Sequence, residues 1–312
     1  MTEQSSKPIV VAVGHDPIDD ALRFAAGEAE RAGCGLHLVH VVHRVAQGPE
    51  MALVTKTDPG RAGRQVLNGA LERARDLVSA EVPVTCELRV GRVVPTLVEL
   101  AVSAQMIVFE HRDLSRLMRV VTRSVSSGVA AHARVPVISV PSHWTPNGRP
   151  TAQQRVTVGV DVPDRSAQVL RAAAAAARSR GATLHVVHTW SFPSAYDDII
   201  MSRTESEEWA QRATLEIQAV LASLGDEVTE VSVQIEARHA RAADALVEAS
   251  KDSELLVVGR HDPLILVGSH LGPIARAVLV AAHCPVMLAD SGPALRRLHH
   301  SEKVEDSALK PA

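Results

Sequence analysis

Aromatic residues are nearly absent from this chain. Its 312 residues include three Trp, three Phe and one Tyr, an aromatic content of 2%. Sites that stack bases on aromatic platforms are therefore not expected. Charge of one sign is lacking too, with 33 Lys and Arg against 36 Asp and Glu and a formal net charge of −3. That balance disfavours a nucleic-acid protein whose affinity comes from broad phosphate neutralisation. The three cysteines, Cys34, Cys86 and Cys284, are odd in number and show no CxxC spacing, which argues against a disulfide or zinc framework and for small buried hydrophobes. No apolar run reaches the roughly 18–20 residues of a membrane helix, and the opening residues carry no signal-peptide core. No G-x-S-x-G, H-E-x-x-H or G-x4-G-K-[ST] motif is found, and no G-x-G-x-x-G follows the first strand, so hydrolase, zinc-protease, P-loop and dehydrogenase readings lose support. These exclusions predict a cytoplasmic, non-enzymatic protein with no membrane or nucleic-acid partner.

What the chain does contain is a copy of itself. Leu36-His37-Leu38-Val39-His40 returns as Leu184-His185-Val186-Val187-His188 at an offset of 148, and Val11-Ala12-Val13-Gly14 is answered by Val158-Gly159-Val160-Asp161 at 147. Leu97-Val98-Glu99 matches Leu246-Val247-Glu248, and Val135-Pro136-Val137 matches Cys284-Pro285-Val286, both at 149. Four ordered matches with so little drift mean one fold twice.

Each copy alternates short β-branched runs with longer Ala- and Leu-rich segments. Apolar runs without alternation suit strands covered on both faces, and their alternation with helices suits a parallel sheet with right-handed crossovers. The fold class expected is α/β, two tandem doubly wound domains, each a five-stranded parallel sheet flanked by helices. The domains are placed at 1–143 and 155–291. A Pro- and Gly-rich linker at 144–154 lies between them, and a charged tail follows at 292–312. Ligands of such sheets sit beyond the carboxyl ends of the strands, at the switch point of strand order.

The ordered set in both copies (a Val-rich first strand, an LHLVHV-type second strand, a Gly/Ser-bearing loop, a helix and a [V/C]PV strand) resembles the tandem universal stress proteins over nearly the whole chain. The resemblance implies a stress-response regulator. In ATP-binding members an Asp ends the first strand and a G-x2-G-x9-G-[S/T] loop wraps the phosphates. Glycines in such a loop let backbone N–H groups approach phosphate oxygens, and the following helix adds partial positive charge.

Carried over residue by residue, the second copy keeps Asp161, Gly259 and Gly272 as candidate nucleotide-binding residues. It departs at Asp262, which replaces the middle glycine, and at Pro273, which replaces the Ser/Thr. Arg260, His261, Gly268 and Ser269 are candidates to compensate. In the first copy Gly14 stands at the position of the acid, and the loop positions read Glu110, Asp113, Arg123 and Ser124, with Ser126 and Ser127 close behind. Two acids repel phosphate at short range, so ATP, if any, belongs to the second copy. The alternative reading is an ATP-binding switch with slow hydrolysis acting through the second domain, with Arg260 or Mg²⁺ neutralising Asp262.

Other features carry blander expectations. Arg112, Arg116, Arg119 and Arg123 share a helical face, as a solvated basic surface, as partners for Glu110 and Asp113, or as a site for an acidic partner. His37 and His40, like His185 and His188, sit three apart on strands and point to opposite faces. Asp19 and Asp20 suit a helix start, and His299-His300 belongs to the tail rather than to a metal site. The two domains are expected to associate about a pseudo-two-fold axis through their last strands, near Pro136 and Pro285, with protein partners unknown and a homodimer conceivable.

Overall fold

In the computed structural model, residues 6–42, 59–111, 125–142, 144–146, 154–191, 206–260 and 271–290 are described. The first half runs β1 (Ile9–Val13), α1 (Asp19–Ala32), β2 (Leu36–Val42), α2 (Pro59–Leu77), β3 (Val84–Val90), α3 (Val93–Ala101), β4 (Met106–His111), α4 (Val125–His132) and β5 (Val137–Pro141). The second runs β6 (Arg155–Val160), a 3-10 turn (Pro163–Arg165), α5 (Ala167–Arg180), β7 (Thr183–Trp190), α6 (Ser206–Ser223) and the one-turn α7 (Asp226–Thr229). It continues through β8 (Val233–His239), α8 (Ala242–Ser250), β9 (Leu255–Gly259), α9 (Pro273–Ala281) and β10 (Val286–Ala289).

The strands form one sheet in the order β3-β2-β1-β4-β5-β10-β9-β6-β7-β8. Within each half every pairing is parallel, and β1/β4 and β6/β9 are the switch points where strand order reverses. The halves join where β10 pairs antiparallel with β5, Met287 opposite Ile138. The last strands are thus the ones that meet. Pro136 and Pro285 stand immediately before them, where a residue without an N–H donor costs no ladder bond, and their carbonyls accept from Ile107 and Leu256 N–H.

Repeated sequence produces repeated local devices. Gly33 and Gly181 end α1 and α5 in the left-handed region, at φ 58° and 61°. The next residues, Cys34 and Ala182, donate back to Ala29 and Ala177 at 3.0 and 2.9 Å, a left-handed glycine cap that satisfies carbonyls at the helix end. Alanines of α1 and α5 (Ala21, Ala25, Ala29; Ala173, Ala174, Ala177) are buried, and their small side chains set those helices close on the sheet.

Each sheet face has its own apolar core, and both cores run through the two halves. One gathers α1, α2, α5 and α6 over Leu38, Ile138, Val158, Val186 and Met287. The other gathers α3, α4, α8 and α9 over Val10, Ile107, Val137, Leu256 and Leu288. Trp144 is buried and meets Phe24 edge-on with ring centroids 5.9 Å apart. Trp144, the first residue of the expected linker at 144–154, packs against α1.

Beyond the β5–β10 ladder, side chains of Glu28 with Arg180 and of Arg260 make polar contacts between the halves among the described residues. Glu28 of α1 takes the Arg180 guanidinium of α5, and Arg31 at 2.5 Å, and the Glu28 and Arg180 side chains are only 8% and 5% exposed. Burial pulls Arg180 below arginine's ordinary value, and the Glu28 charge opposes that fall. The second contact is made by Arg260, just beyond β9. Its guanidinium donates to the carbonyls of Ala133 and of Val135, the latter at 2.5 Å.

Candidate functional site

The carboxyl ends of the strands at the two switch points are where a doubly wound sheet takes ligands, and the two halves furnish them differently. In the first half Glu110, at the end of β4, reaches across to α1. Its Oε2 accepts the N–H groups of Asp20 and Ala21 at 3.1 and 3.2 Å. Free N–H groups at a helix start favour negative charge, so the half answers that demand with its own carboxylate. Asp19 and Asp20 do lie in the first turn of α1 but do not cap it with their side chains. They pair instead with Arg73 at 2.8 Å and Arg23 at 2.6 Å.

The same point in the second half carries Gly259 in place of Glu110, each the residue four beyond equivalent positions Leu255 and Met106 that pair with β6 and β1. No side chain projects from Gly259 towards the start of α5, where Ser166 makes no cap and instead donates its hydroxyl to the Val162 carbonyl at 2.8 Å. Asp161 follows directly on β6 and is exposed. Gly272 occupies the N-cap of α9 with extended backbone, φ −61° and ψ 161°, and Pro273 takes the first helical position. Proline fits there because that N–H has no intrahelical partner. The residue that breaks the phosphate-loop pattern thus starts α9 without strain. Asp161, Gly259 and Gly272 lie at carboxyl ends of β6 and β9 and at the start of the helix that follows. Asp262, His261, Gly268 and Ser269 lie outside the described residues, as do Asp113, Arg112, Arg116, Arg119, Arg123, Ser124, His299 and His300.

Arg260 requires a correction. Expected to offset Asp262, it turns its guanidinium to the first half and binds carbonyls there. Burial lowers it from arginine's ordinary value, with Asp290 opposing. A planar fork of donors beside two backbone acceptors is well satisfied by them.

The strand histidines are occupied by neighbours. His40 and His188 each contact the last carbonyl of the adjoining strand through Nδ1, Val13 O at 2.8 Å and Val160 O at 2.9 Å. A carbonyl only accepts, so Nδ1 carries the proton in both. His40 is fully buried beneath α2, where a Cβ on Gly63 would come within 2.9 Å of its ring, while His188 is half-buried. His37 contacts Thr85 Oγ1 at 2.9 Å, and His185 joins Glu236 at 2.9 Å. Among the described residues no group of three or more His, Cys, Asp or Glu is placed to hold a metal ion.

Sequence reasoning missed the Glu110 cap, the Glu28–Arg180 pair and the carbonyl contacts of Arg260. An acid at the end of β4 facing a helix start was a readable signal for the first. The other two depend on contacts 152 residues apart and 125 to 127 residues apart, for which a single sequence gives no cue.

A doubly wound pair of this kind, with one sheet end met by an internal carboxylate and the other ending in Asp and Gly, defines a tandem α/β protein with two unlike sheet ends. The family model for the universal stress protein family matches residues 5–141 and again 153–290, and the chain belongs to that family. It is 32% identical over 291 residues to universal stress protein Rv2005c of Mycobacterium tuberculosis, covering 90% of this chain and 96% of the relative. Universal stress protein Rv1996 of the same organism is 27% identical, covering 92% and 96%. A universal stress protein crystal structure from Archaeoglobus fulgidus superposes with a TM-score of 0.64 at 14% identity, covering 91% of this chain and 97% of that one, a likeness of fold. No described helix is long and apolar enough to cross a membrane.

Proposed function

We propose that this protein is a non-enzymatic, cytoplasmic stress-response regulator in which only the second half takes a nucleotide, and that weakly. The observation that carries the reading is the Glu110/Gly259 contrast. Glu110 lays a carboxylate on the α1 start in the first half, whereas Gly259 brings no side chain to the matching place. ATP is the nucleotide the family resemblance implies. Asp161 is suited to accept from a ribose hydroxyl or an adenine amine, and Gly259 and Gly272 to let phosphate approach backbone donors. The first half then serves as scaffold and partner surface.

Hydrolysis loses support from the position of Arg260. The guanidinium of Arg260, a candidate to offset Asp262, donates to the Ala133 and Val135 carbonyls, and Mg²⁺ is the alternative counter-charge.

Calorimetric titration of ATP tests the reading. Saturable binding in the micromolar to millimolar range, lost in Asp161→Ala and unchanged in Gly14→Ala, is the expected result. No heat at millimolar ATP overturns nucleotide binding. Steady phosphate release that follows occupancy overturns the non-enzymatic assignment.

A further inference from the structure

Beneath the second half's sheet end, away from the proposed nucleotide crevice, lies a line of polar groups that the function above does not use. Glu236 of β8 meets His185 Nε2 at 2.9 Å, and His185 Nδ1 meets Thr157 Oγ1 of β6 at 3.2 Å. Thr157 Oγ1 meets Ser253 Oγ at 2.7 Å, and in this structure the Ser253 hydroxyl donates to the Ala249 carbonyl at the end of α8 at 2.7 Å, a bond it must give up whenever it donates to Thr157 instead. Thr157 and Ser253 are wholly buried and His185 nearly so. Buried hydroxyls cost stability unless bonded, so such a chain is favourable only when its members are satisfied together.

The first half shows what the fold uses without the chain. Val10 and Ala104 take the places of Thr157 and Ser253, and His37 turns Nδ1 to the strand neighbour Thr85 instead. Packing there is complete with apolar residues, so the fold does not require the two hydroxyls.

Proton positions decide what the chain can do. With neutral His185, the Glu236 carboxylate takes Nε2–H, so Nδ1 must accept. Thr157 then donates to Nδ1, and Ser253 donates to Thr157. With His185 protonated, Nδ1–H donates to Thr157, Thr157 donates to Ser253, and Ser253 donates to the Ala249 carbonyl. A hydroxyl has one proton, so the two states run the chain in opposite directions. We propose that Glu236–His185–Thr157–Ser253 is an acid-operated switch: one proton taken from solvent at His185 turns both hydroxyls and moves the Ser253 anchor from β6 to the end of α8.

Among the described residues the charged groups acting on His185 are Glu236 and Arg238 on β8 and Arg155 on β6, and Arg238 is in turn paired with Glu248 on α8 at 3.1 Å. Burial, the largest effect, pulls His185 below histidine's ordinary 6.5. Glu236 opposes the fall, and Arg155 and Arg238 reinforce it. The unfolded chain therefore binds the proton more readily than the native one. The contribution of His185 to stability is complete above pH 6.5 and falls as pH drops from 6.5 towards the native value.

Ring-nitrogen NMR of the full chain, with Ser253→Ala and the Thr157→Val/Ser253→Ala pair as variants, tests the switch. The pair installs residues that the first half already packs at these positions. The His185 signals, assigned by their loss in His185→Gln, should show the Nε2–H tautomer at pH 7.5 and a midpoint below 6.5. Removing the hydroxyls deprives Nδ1–H of its acceptor and should lower that midpoint further, by about half a unit or more. Thermal melting of wild type should lose midpoint temperature between pH 7 and 5 more steeply than His185→Gln. An unmoved His185 midpoint in both hydroxyl variants, or a pH dependence of melting unchanged in His185→Gln, overturns the proposal.

Discussion

Glu110 shows how one side chain can set the character of a half. Two N–H groups at the start of α1 rest on its carboxylate, so Glu110→Ala should cost about 1–2 kcal/mol, the range for losing a helix cap. Thermal melting followed by circular dichroism measures it, and a cost near zero would show the α1 start to be satisfied by water. The reverse exchange bears on function. Gly259→Glu should carry the carboxylate to the start of α5 and weaken ATP binding at least about tenfold, a loss of about 1.4 kcal/mol. Titration against wild type reads that loss directly. Gly63 is a tighter constraint, since a Cβ there would lie 2.9 Å from His40, Val42 and Leu88 side chains. Gly63→Ala should destabilise by about 1–3 kcal/mol through overpacking, read from a denaturant midpoint.

Among the elements, α1 and α5 are held by the pair Glu28–Arg180, with both side chains almost out of contact with water. Removing one partner strands the other charge. Glu28→Ala should therefore cost about 3–5 kcal/mol, while Glu28→Met with Arg180→Met should cost far less or nothing. Chemical denaturation of the two variants separates these outcomes, and equal costs would mean the pair acts by shape alone. At this scale the sequence was most readable. The sequence shows the alternation of strands and helices in both copies, and the described residues follow it. Strand β8 starts only at Val233, after Asp226–Thr229 has coiled into a helical turn. Local composition did not reveal that turn. The crevice was legible where chemistry is local, as with Asp161, Gly259 and Gly272. It was illegible where long side chains choose among distant acceptors: Arg260 reads as a phosphate-loop cation and serves as a tie to Ala133 and Val135.

For the whole molecule the shared cores matter most. Since both apolar layers pass through the β5–β10 joint, the halves should unfold together. Calorimetry should show one transition with equal calorimetric and van't Hoff enthalpies, and two separated peaks would refute this. A chain ending at Pro146 would bare the β5 edge and should self-associate in light scattering, because an unpaired strand edge seeks a partner. The outer edges are protected by charge. Glu87–Arg89 at 2.8 Å on β3 and Glu236–Arg238 at 2.9 Å on β8 are equivalent pairs that discourage further strand addition.

Because β5 and β10 run against each other, the strands of one half point opposite to those of the other, and the two crevices face away from each other. A molecule reading the occupied or empty condition of the Asp161 crevice would approach from one end, while anything resting on the Glu110 end would leave that approach free. The joint thus gives a duplicated chain a distinct front and back, with the Asp161 end at one and the Glu110 end at the other.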